Sequence, residues 1–564
     1  MERGGVTAAR RTPYDPGPGR RLGPRVRPRP GGLPGRRGRR QVLAAGLPDR
    51  PGLRRPQPGL RLPATRGVRG IEHAPHRPPR GGYGSPVTDD HPAPDLTELD
   101  GVHAVERADS VELDTTYFDT PSHALLRASA TLCRRTGGDD EGWRLTLPLE
   151  LPDGGAELRA PAGVGAQHPP DHVLDLVLGW TRGIAVAPVA RIQTRRTSWR
   201  LTATDGRTLA ELVGDRILAR PAQLGGEPVR WREWDVELVD GDRDLLDDVE
   251  ELFATEGVER GEERQRLAHV VGAPPAAVVL PRARKKGPAG LHLHHWLVDQ
   301  VHELELLDPL ARVGAEGGVH GMRKACRRLR AALATYRPLV DRDRTDPIRE
   351  ELRWLARSLG PARDGEVVLE RLLDLLASEV PEPGVETARR LLERKAADVA
   401  AHEHAQVLAV LRSRRYLDLR TALEQLVAEP PWTRRAEKRA DHVLPGLVHA
   451  DGKRVRHRVR RDRDPHEVRK AAKRLRYAYE LLEPAWGKQA TRPREAAELM
   501  TEVLGDRQDG VAAREWLVTL ASEALRTGDS AFTLGRLHAL EEVREASQLK
   551  AGRRAWRKLN SVRW

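Results

Sequence analysis

Two segments of this chain carry regularly spaced basic side chains of the kind that bind phosphate groups. The first covers residues 320–333 and the second covers residues 466–479, and seven of their first eleven positions are identical. At about 100° per residue, bases three or four positions apart fall on one face of a helix. Arginine and lysine there can donate charge-assisted hydrogen bonds to phosphate oxygens. The two predicted cationic faces, called the first and second basic stripes, are His320, Arg323, Arg327 and Arg330, and His466, Arg469, Lys473 and Arg476.

A basic helix face is also common on an ordinary solvent-exposed helix, so a second interpretation stays open. Exposed faces usually mix both charge signs, whereas neither stripe contains an acid. The stripes lie 146 residues apart, and two similar motifs at 359–364 and 504–509 lie 145 residues apart. This nearly constant offset indicates an internal duplication, which could bring the two stripes to face each other. The adjoining cations predicted to join the same site are Lys324, Arg328, Arg363, Lys470 and Arg474.

The elements that must hold the stripes are helices, because residues 290–540 follow a 3.6-residue hydrophobic period. We expect a basic loop at residues 449–464.

His292, His294 and His295 lie close together in the sequence. They favour a surface cluster over a metal site, because no carboxylate or cysteine is spaced to complete the ligand set.

Residues 91–280 show a different pattern, in which short segments alternate polar and apolar positions between Gly, Pro and Asp turns. Such segments are typical of an antiparallel sheet. Polar residues on both faces favour a barrel with a charged interior, and an open sheet with solvent-facing charges stays the alternative. The predicted strands are 111–118, 130–136, 142–147, 189–203, 208–218 and 230–238, and the predicted helices are 171–180 and 243–253.

The alternation places charged side chains on shared strand faces. Glu211 and Asp215 share one face of their predicted strand, Glu233, Asp235 and Glu237 share one face of theirs, and Arg135 and Arg196 lie on faces of two other strands. Carboxylate oxygens could hold Mg²⁺ or Mn²⁺, while guanidinium groups could hold phosphate oxygens. The predicted metal ligands are Glu211, Asp215, Asp235 and Glu237, and the predicted phosphate ligands are Arg135 and Arg196.

The composition favours a polyanionic partner. The chain has 564 residues, a formal net charge of +14 and 32% charged residues. A chain this basic attracts nucleic acid, an acidic surface or a phosphate polymer. Its two cysteines form no disulfide framework, and no apolar run reaches the roughly 18 residues that span a bilayer. We therefore expect a cytoplasmic protein without a membrane partner.

Residues 1–90 are mainly Arg, Pro and Gly without a hydrophobic period, so we expect them to be disordered. We also expect much of this segment to reflect a misassigned start of the reading frame. The predicted fold class is a multidomain α+β chain. Its parts are the disordered segment 1–90, an antiparallel β-barrel at 91–280, a basic linker at 281–289, a duplicated four-helix-bundle domain at 290–540 and a basic tail at 541–564.

The helical half resembles the CHAD domain, the conserved histidine α-helical domain. The resemblance rests on the His-x-x-Arg-x-x-x-Arg-Arg-Leu-Arg pattern from His320, and on its copy from His466 with Lys473 in place of one Arg. Leu359-Gly360, Arg363-Asp364 and Gln508-Asp509 also match. Over residues 290–535, the resemblance implies two four-helix bundles around a basic cavity that binds inorganic polyphosphate, with no cofactor required. It assigns no role to the two histidines.

The strand-rich half resembles the CYTH domain, the triphosphate tunnel fold, which commonly precedes a CHAD domain. The matching segments are 113–120, 131–136, 195–197, 210–215 and 231–238. Three departures from the family pattern bear on catalysis. The Glu-x-Glu-x-Lys strand is not found upstream of Leu96, Cys133 replaces the first Arg of the Leu-Arg-x-Arg pair, and Thr146 stands where Lys is usual. Catalytic residues therefore stay unassigned, and efficient triphosphate hydrolysis is not expected.

Three functions are compatible with these features. The leading one is polyphosphate binding by the helical domain, with an impaired triphosphate site in the barrel and association with polyphosphate granules. An active Mg²⁺- or Mn²⁺-dependent triphosphatase or polyphosphatase is the alternative. Non-specific nucleic-acid binding is the third, and it is disfavoured because neither stripe carries aromatic residues for base stacking on its basic face. Oligomeric state and preferred polymer length do not follow from the sequence.

Overall fold

The structure is a computed structural model that describes part of the chain. Most of the segment 1–90 that was predicted to be disordered lies outside that part, but residues 72–73 and 80–85 pair with other strands of the sheet, so the prediction is wrong for them. The described residues are 72–73, 80–85, 95–138, 141–151, 154–161, 163, 167–223, 226–255, 259–260, 266–272, 279–315, 317–378, 383–461 and 464–561.

Within this described part, eleven strands form one antiparallel sheet. Their order is β1-β7-β6-β5-β4-β8-β9-β10-β2-β11, and β3 pairs with β8. The antiparallel fold predicted from the alternation is confirmed, and the predicted strand ends agree with the observed ones within a few residues. The strands are β1 Glu72–His73, β2 Arg80–Ser85, β3 Ala104–Arg107, β4 Val111–Asp119, β5 Thr131–Thr136, β6 Gly142–Leu151, β7 Gly154–Ala160, β8 Ala187–Thr202, β9 Thr208–Pro221, β10 Val229–Leu238 and β11 Glu259–Arg260.

Short helices accompany the sheet, and a long helical region follows it. No described helix combines the length and apolar character that a membrane span needs. The helices near the sheet are α1 Ala124–Arg127, α2 Asp171–Thr181, α3 Arg243–Thr255 and α4 Arg266–Val271. The later helices are α5 Ala289–Arg312, α6 Gly318–Thr335, α7 Arg342–Ser358, α8 Gly360–Ala377, α9 Pro383–Arg412, α10 Arg414–Ala428, α11 Ala440–Arg461, α12 Pro465–Trp486, α13 Lys488–Thr527 and α14 Phe532–Ser561.

The two faces of the sheet differ in chemistry because side chains alternate along each strand. One face, called the helix-covered face, packs its apolar side chains under α2 and α3. Leu212 and Trp234, for example, join a buried cluster with Phe253 of α3. The other face, called the charged face, carries Arg196 directly opposite Asp215 in the register of β8 and β9. The prediction that acids and bases share one strand face is therefore correct.

The helices of the second half bury the apolar side of each basic stripe. Met322 and Leu329 of α6 are fully buried, and Ala472 and Leu475 of α12 are buried in the same core. Burial of one side fixes the rotation of an amphipathic helix. The basic sides of α6 and α12 are thereby directed away from the apolar core.

Two predictions about the helical half are wrong. Residues 449–461 of the predicted loop are helical, because α11 continues to Arg461 and buries Val448 and Val455 at helical spacing, and residues 462–463 lie outside the described residues. The three clustered histidines are not a surface cluster either. His292 is 5% exposed, and the Nε2 atoms of His292, His294 and His295 lie 3.1, 2.7 and 2.8 Å from the backbone carbonyl oxygens of residues 284, 427 and 281.

The sheet and the helical half contact each other through α2. The Asp175 carboxylate accepts hydrogen bonds from Arg412 at 2.8 and 3.1 Å and from Arg312 at 3.4 Å. Gly179 lies against the buried carboxylate of Asp308, and a Cβ at that position would come within 2.7 Å of an Asp308 oxygen. Glycine at this position therefore permits the close approach of α2 to α5.

Candidate anion-binding sites

Helices α6 and α12 bring the two basic stripes against each other. Arg327 of the first stripe lies close enough to Lys473 of the second to lower its pKa. Arg328 of α6 forms an ion pair with Glu480 of α12 at 2.9 Å, and Arg474 of α12 donates to the carbonyl of Ala334 in α6 at 2.6 Å. Arg328 and Arg474 are equivalent positions at the 146-residue offset, and so are Ala334 and Glu480. The contacts therefore relate α6 and α12 as equivalent helices facing each other.

Positive charge is concentrated where the stripes meet. Burial, followed by the charges of Arg469 and Arg327, lowers the pKa of Lys473 to about 7, although Asp509 acts in the opposite direction. The pKa of Lys324 is also lowered, first by burial and then by Arg328. The like charges around Lys473 mark a place in which added positive charge is unfavourable and an anion would be favourable, whereas Glu303 and Glu480 partly offset the charges around Lys324.

Equivalent arginines of the two stripes lie against equivalent glycines. Arg323 donates from Nη1 to the carbonyl oxygen of Gly360. Arg469 donates from Nη1 to Oε1 of Gln508 at 2.7 Å, and its Nη2 lies only 2.5 Å from where a Cβ on Gly505 would be. A side chain at position 505 would displace the Arg469 guanidinium. The motifs at 359–364 and 504–509 therefore position the stripe arginines.

The ends of the two stripes differ in charge compensation. Arg476 forms ion pairs with Glu480 at 2.9 Å and Glu498 at 3.5 Å. Burial lowers the pKa of Arg330, and Arg353 on α7 lowers it further. Arg353 and Glu498 are equivalent positions at the 145-residue offset, so the first stripe faces a base where the second faces an acid.

Other predicted residues lie away from this meeting point. Lys470 is exposed and bonded to Glu467 at 2.8 Å, and His466 is exposed at the start of α12, where its backbone N–H donates to Asp464. His320 is half-buried at the start of α6. The side chain of Arg363 lies outside the described residues. The structure thus brings together chiefly Arg327, Arg469, Lys473 and Arg476, whereas Lys324 lies among Arg328, Glu303 and Glu480.

An acidic network beside this cluster was not predicted as part of the site. Asp509 is a half-buried carboxyl whose pKa is raised by burial, although Arg469 and Arg371 act against that rise. Arg371 is itself held by Glu541 at 2.7 and 2.8 Å. Asp509 could have been found from its place in the 504–509 motif, whereas Arg371 has no sequence signal.

On the charged face of the sheet, Asp215 and Arg196 form a buried ion pair. Asp215 accepts hydrogen bonds from Arg196 at 2.7 and 2.8 Å and from Arg266 of α4 at 2.6 Å. Burial opposes ionisation of Asp215, but the two arginines outweigh it and hold the pKa of this carboxyl below its usual range. Arg266 also donates to Glu233 at 2.7 Å. Arg266 was missed because it lies in a short helix outside the strand alternation.

Arg135 belongs to a second cationic group on the charged face. It lowers the pKa of Arg144, which is brought to about 10 mainly by burial. The carboxylate of Glu157 partly neutralises this positive charge, because it forms ion pairs with Arg144 at 3.5 Å and Arg159 at 2.7 Å. Cys133, opposite Arg144 in the register, has a pKa of about 11 because it is buried, so it stays a neutral thiol at physiological pH.

The four acids predicted as metal ligands do not converge on a metal position. Within the described residues, no group of three or more His, Cys, Asp or Glu side chains could hold a metal ion. Asp215 is occupied by two arginines, and Glu211 is half exposed at 3.7 Å from Arg200. Glu237 lies directly opposite Glu211 in the register of β9 and β10, and Asp235 lies two positions along β10 on the same face. The residues described here therefore do not fit a Mg²⁺ or Mn²⁺ centre.

Comparison with known proteins places the chain in a family. The CHAD domain model matches residues 296–518. The chain is also 35% identical over 482 residues to an uncharacterized protein of Mycobacterium tuberculosis, found in two strains, with 80% of this chain and 90% of that protein covered. The chain belongs to the CHAD domain family. Its helical half contains the CHAD domain, and the sheet with its short helices, called the CYTH-like domain after the sequence resemblance, has the predicted antiparallel fold.

Two solved structures are similar to the chain. PptA from Streptomyces chartreusis shares 24% identity with a TM-score of 0.40, and the match covers 48% of this chain and 99% of that protein. The CHAD domain from the plant Ricinus communis shares 21% identity with a TM-score of 0.38, covering 52% of this chain and 98% of that domain.

Proposed function

We propose that the CHAD domain binds inorganic polyphosphate, or a similarly phosphate-rich polyanion, where α6 and α12 meet. The observation that carries this proposal is the position of Arg327 beside Lys473, whose pKa is lowered to about 7. Holding like charges together in a half-buried place costs folding free energy. A ligand with several negative charges would remove that cost and gain charge-assisted hydrogen bonds.

The length of the stripes favours a polymer over a single phosphate. Arg323 and Arg330 are seven residues apart on α6, which is about 10 Å along a helix. The second stripe repeats this spacing on α12. A linear chain of phosphates offers a negative charge at every unit, so one molecule could contact several of these cations.

The surroundings of the stripes favour polyphosphate over nucleic acid. Single-stranded nucleic acid is usually held by aromatic side chains on which bases stack. The tyrosines near the ends of the stripes, Tyr336, Tyr477 and Tyr479, are 0%, 6% and 5% exposed, and the Arg476 guanidinium lies 5.4 Å from the centroid of the Tyr477 ring. They are not available to stack on a base.

The same reasoning gives the CYTH-like domain a supporting role. Its charged face carries Arg135, Arg144 and Arg159, which suit a phosphate group. Hydrolysis of triphosphates by a two-metal or one-metal route needs oxygen ligands that converge, and the described acids do not provide them. We therefore infer an impaired triphosphate site that binds anions without efficient turnover.

The specificity of the full chain is tested by binding long-chain polyphosphate and single-stranded DNA at matched phosphate concentration and about 150 mM salt. We expect at least a tenfold preference for polyphosphate, because stacking platforms are missing from the stripes. Equal affinities with the same steep salt dependence would show counterion release alone and would defeat the proposal. Release of phosphate from triphosphate with added Mg²⁺ or Mn²⁺ would instead support the enzyme.

Polyphosphate binding is also expected to take up protons near neutral pH. Free Lys473 has a pKa of about 7, and a bound polyanion would raise it. Binding should therefore take up about half a proton at pH 7 and nearly one at pH 8, and affinity should fall as pH rises above 7. Calorimetry in buffers of different ionisation enthalpy measures this uptake.

Lys473→Arg is the matched control for proton uptake, because it keeps the charge without titrating in this range. It should retain polyphosphate binding and lose most of the uptake. Unchanged uptake in this variant would show that another group titrates.

A further inference from the structure

A cavity of about 400 Å³ opens on the helix-covered face of the CYTH-like sheet. It lies on the opposite side of the strands from the Asp215–Arg196 ion pair, since Thr197, Gly214 and Trp234 are aligned across β8, β9 and β10. The loop between β3 and β4 forms one rim, where Ser110 and Thr197 hydroxyls are 2.8 Å apart. The function proposed above makes no use of this cavity.

Three arginines lie in a row across the cavity. Arg195, Arg216 and Arg232 are direct neighbours in the register of β8, β9 and β10, and Arg107 adds a fourth cation. Like charges directly opposite each other on adjacent strands are unfavourable. Two acids lie near the row: Glu112 forms an ion pair with Arg195 at 3.4 Å, and Asp215 lines the cavity but its carboxylate accepts hydrogen bonds from Arg196 and Arg266 on the charged face. The cavity therefore presents net positive charge.

Two tryptophans, with their rings inclined at 40° to each other, line the cavity beside the arginine row. The rings of Trp199 and Trp234 lie 5.4 Å apart, and Trp234 is backed by Phe253 at 5.9 Å. Gly214 makes this possible, because a Cβ there would come within 2.5 Å of Trp234 and 2.8 Å of Trp199. Trp234 is buried, whereas Trp199 is half-buried and keeps part of its ring surface accessible.

We propose that this cavity binds a nucleotide, with its phosphates on the arginine row and its base against Trp199. Arginine binds phosphate oxygens through paired N–H groups, and stacking of a base on an aromatic ring contributes about 1–3 kcal/mol. The cavity volume lies within the usual range for small-molecule sites. A cavity with both cations and an aromatic wall distinguishes a nucleotide from a phosphate chain, which has no ring to stack.

The test uses the full chain with ATP and with tripolyphosphate, both in excess EDTA so that no metal-dependent hydrolysis occurs. We expect ATP to bind at this site about tenfold more tightly than tripolyphosphate, as one stacked base predicts. Arg216→Gln should weaken ATP binding about tenfold, because it removes the central arginine of the row. Trp199→Ala should weaken ATP binding and leave tripolyphosphate binding unchanged.

Arg200→Gln is the matched control, because Arg200 is another exposed arginine on β8 with loose ion pairs at 3.7 and 3.9 Å and lies outside the cavity. It should leave ATP binding unchanged. ATP binding that is lost in Arg135→Gln but retained in Arg216→Gln would place the nucleotide on the charged face and overturn the proposal. Equal affinity for tripolyphosphate, or the absence of ATP binding, would overturn it as well. Polyphosphate binding by the CHAD domain should persist in Arg216→Gln, so the two proposals fail separately.

Discussion

Replacement of Asp215 by alanine is expected to destabilise the CYTH-like domain by about 3 kcal/mol, the lower end of the usual cost of breaking a buried ion pair from one side, because Arg196 and Arg266 are 27% and 20% exposed. The carboxylate is 3% exposed and accepts hydrogen bonds from both Arg196 and Arg266. Without it, two guanidinium groups in a buried setting lose their main shared partner. Hydrogen exchange of β8, β9 and β10 amides in the full chain would report the loss of protection.

Glu211→Ala provides the matched control on the same strand and the same face. Glu211 is half exposed and 3.7 Å from Arg200, so its removal should change stability by no more than about 0.5 kcal/mol. If both variants lose protection equally, the Asp215 network does not hold the sheet together.

The contribution of Asp215 should also depend on pH in a defined direction. Its pKa is lower in the folded protein than in the unfolded chain, so the folded state is favoured above the unfolded value of about 3.9. That stabilisation is lost as the pH falls through the folded pKa. The stability difference between wild type and Asp215→Ala should therefore shrink below about pH 4.

The strand fold could be predicted because alternation along a strand is a local property. Each of the six predicted strands is found, and acids and bases lie on a shared face. Alternation does not, however, show which charged groups pair with each other. Asp215 was predicted as a metal ligand, but Arg266 lies 51 positions later in α4 and reaches the same carboxylate. Only the tertiary fold brings these two residues together.

The helical half shows where charge and periodicity gave conflicting predictions. Residues 449–464 are so rich in bases that a loop was predicted, yet Val448 and Val455 are buried seven positions apart. Asp451, also buried, accepts hydrogen bonds from Thr335 and Arg474. A few apolar side chains at helical spacing decided the structure, because their burial outweighs the preference of the exposed bases for solvent.

Combined replacement of Arg327 and Lys473 by methionine is expected to abolish most polyphosphate binding. Each cation is expected to supply a charge-assisted hydrogen bond of about 1.5–3 kcal/mol, so losing two predicts at least about a 100-fold weaker complex. Isothermal titration of the full chain with long-chain polyphosphate measures this loss. Lys470→Met is the control, because Lys470 is the exposed base bonded to Glu467 on the same helix, and it should bind nearly as the wild type does.

The same double variant is expected to be more stable than the wild type without ligand. Lys473 has a pKa of about 7 in the folded protein and about 10.4 when unfolded, so between these values the unfolded chain binds more protons and wild-type stability rises with pH. The cost of the charged lysine is fully present below pH 7. The gain in Tm of the variant should therefore be largest at pH 6 and shrink towards pH 10.

A variant that keeps its affinity would place the polyphosphate elsewhere. A variant that is less stable than the wild type at pH 6 would show that the proximity of Arg327 and Lys473 does not lower the free energy of unfolding. Weaker binding together with higher stability is the result expected if Arg327 and Lys473 contribute to polyphosphate binding and lower the stability of the unliganded domain.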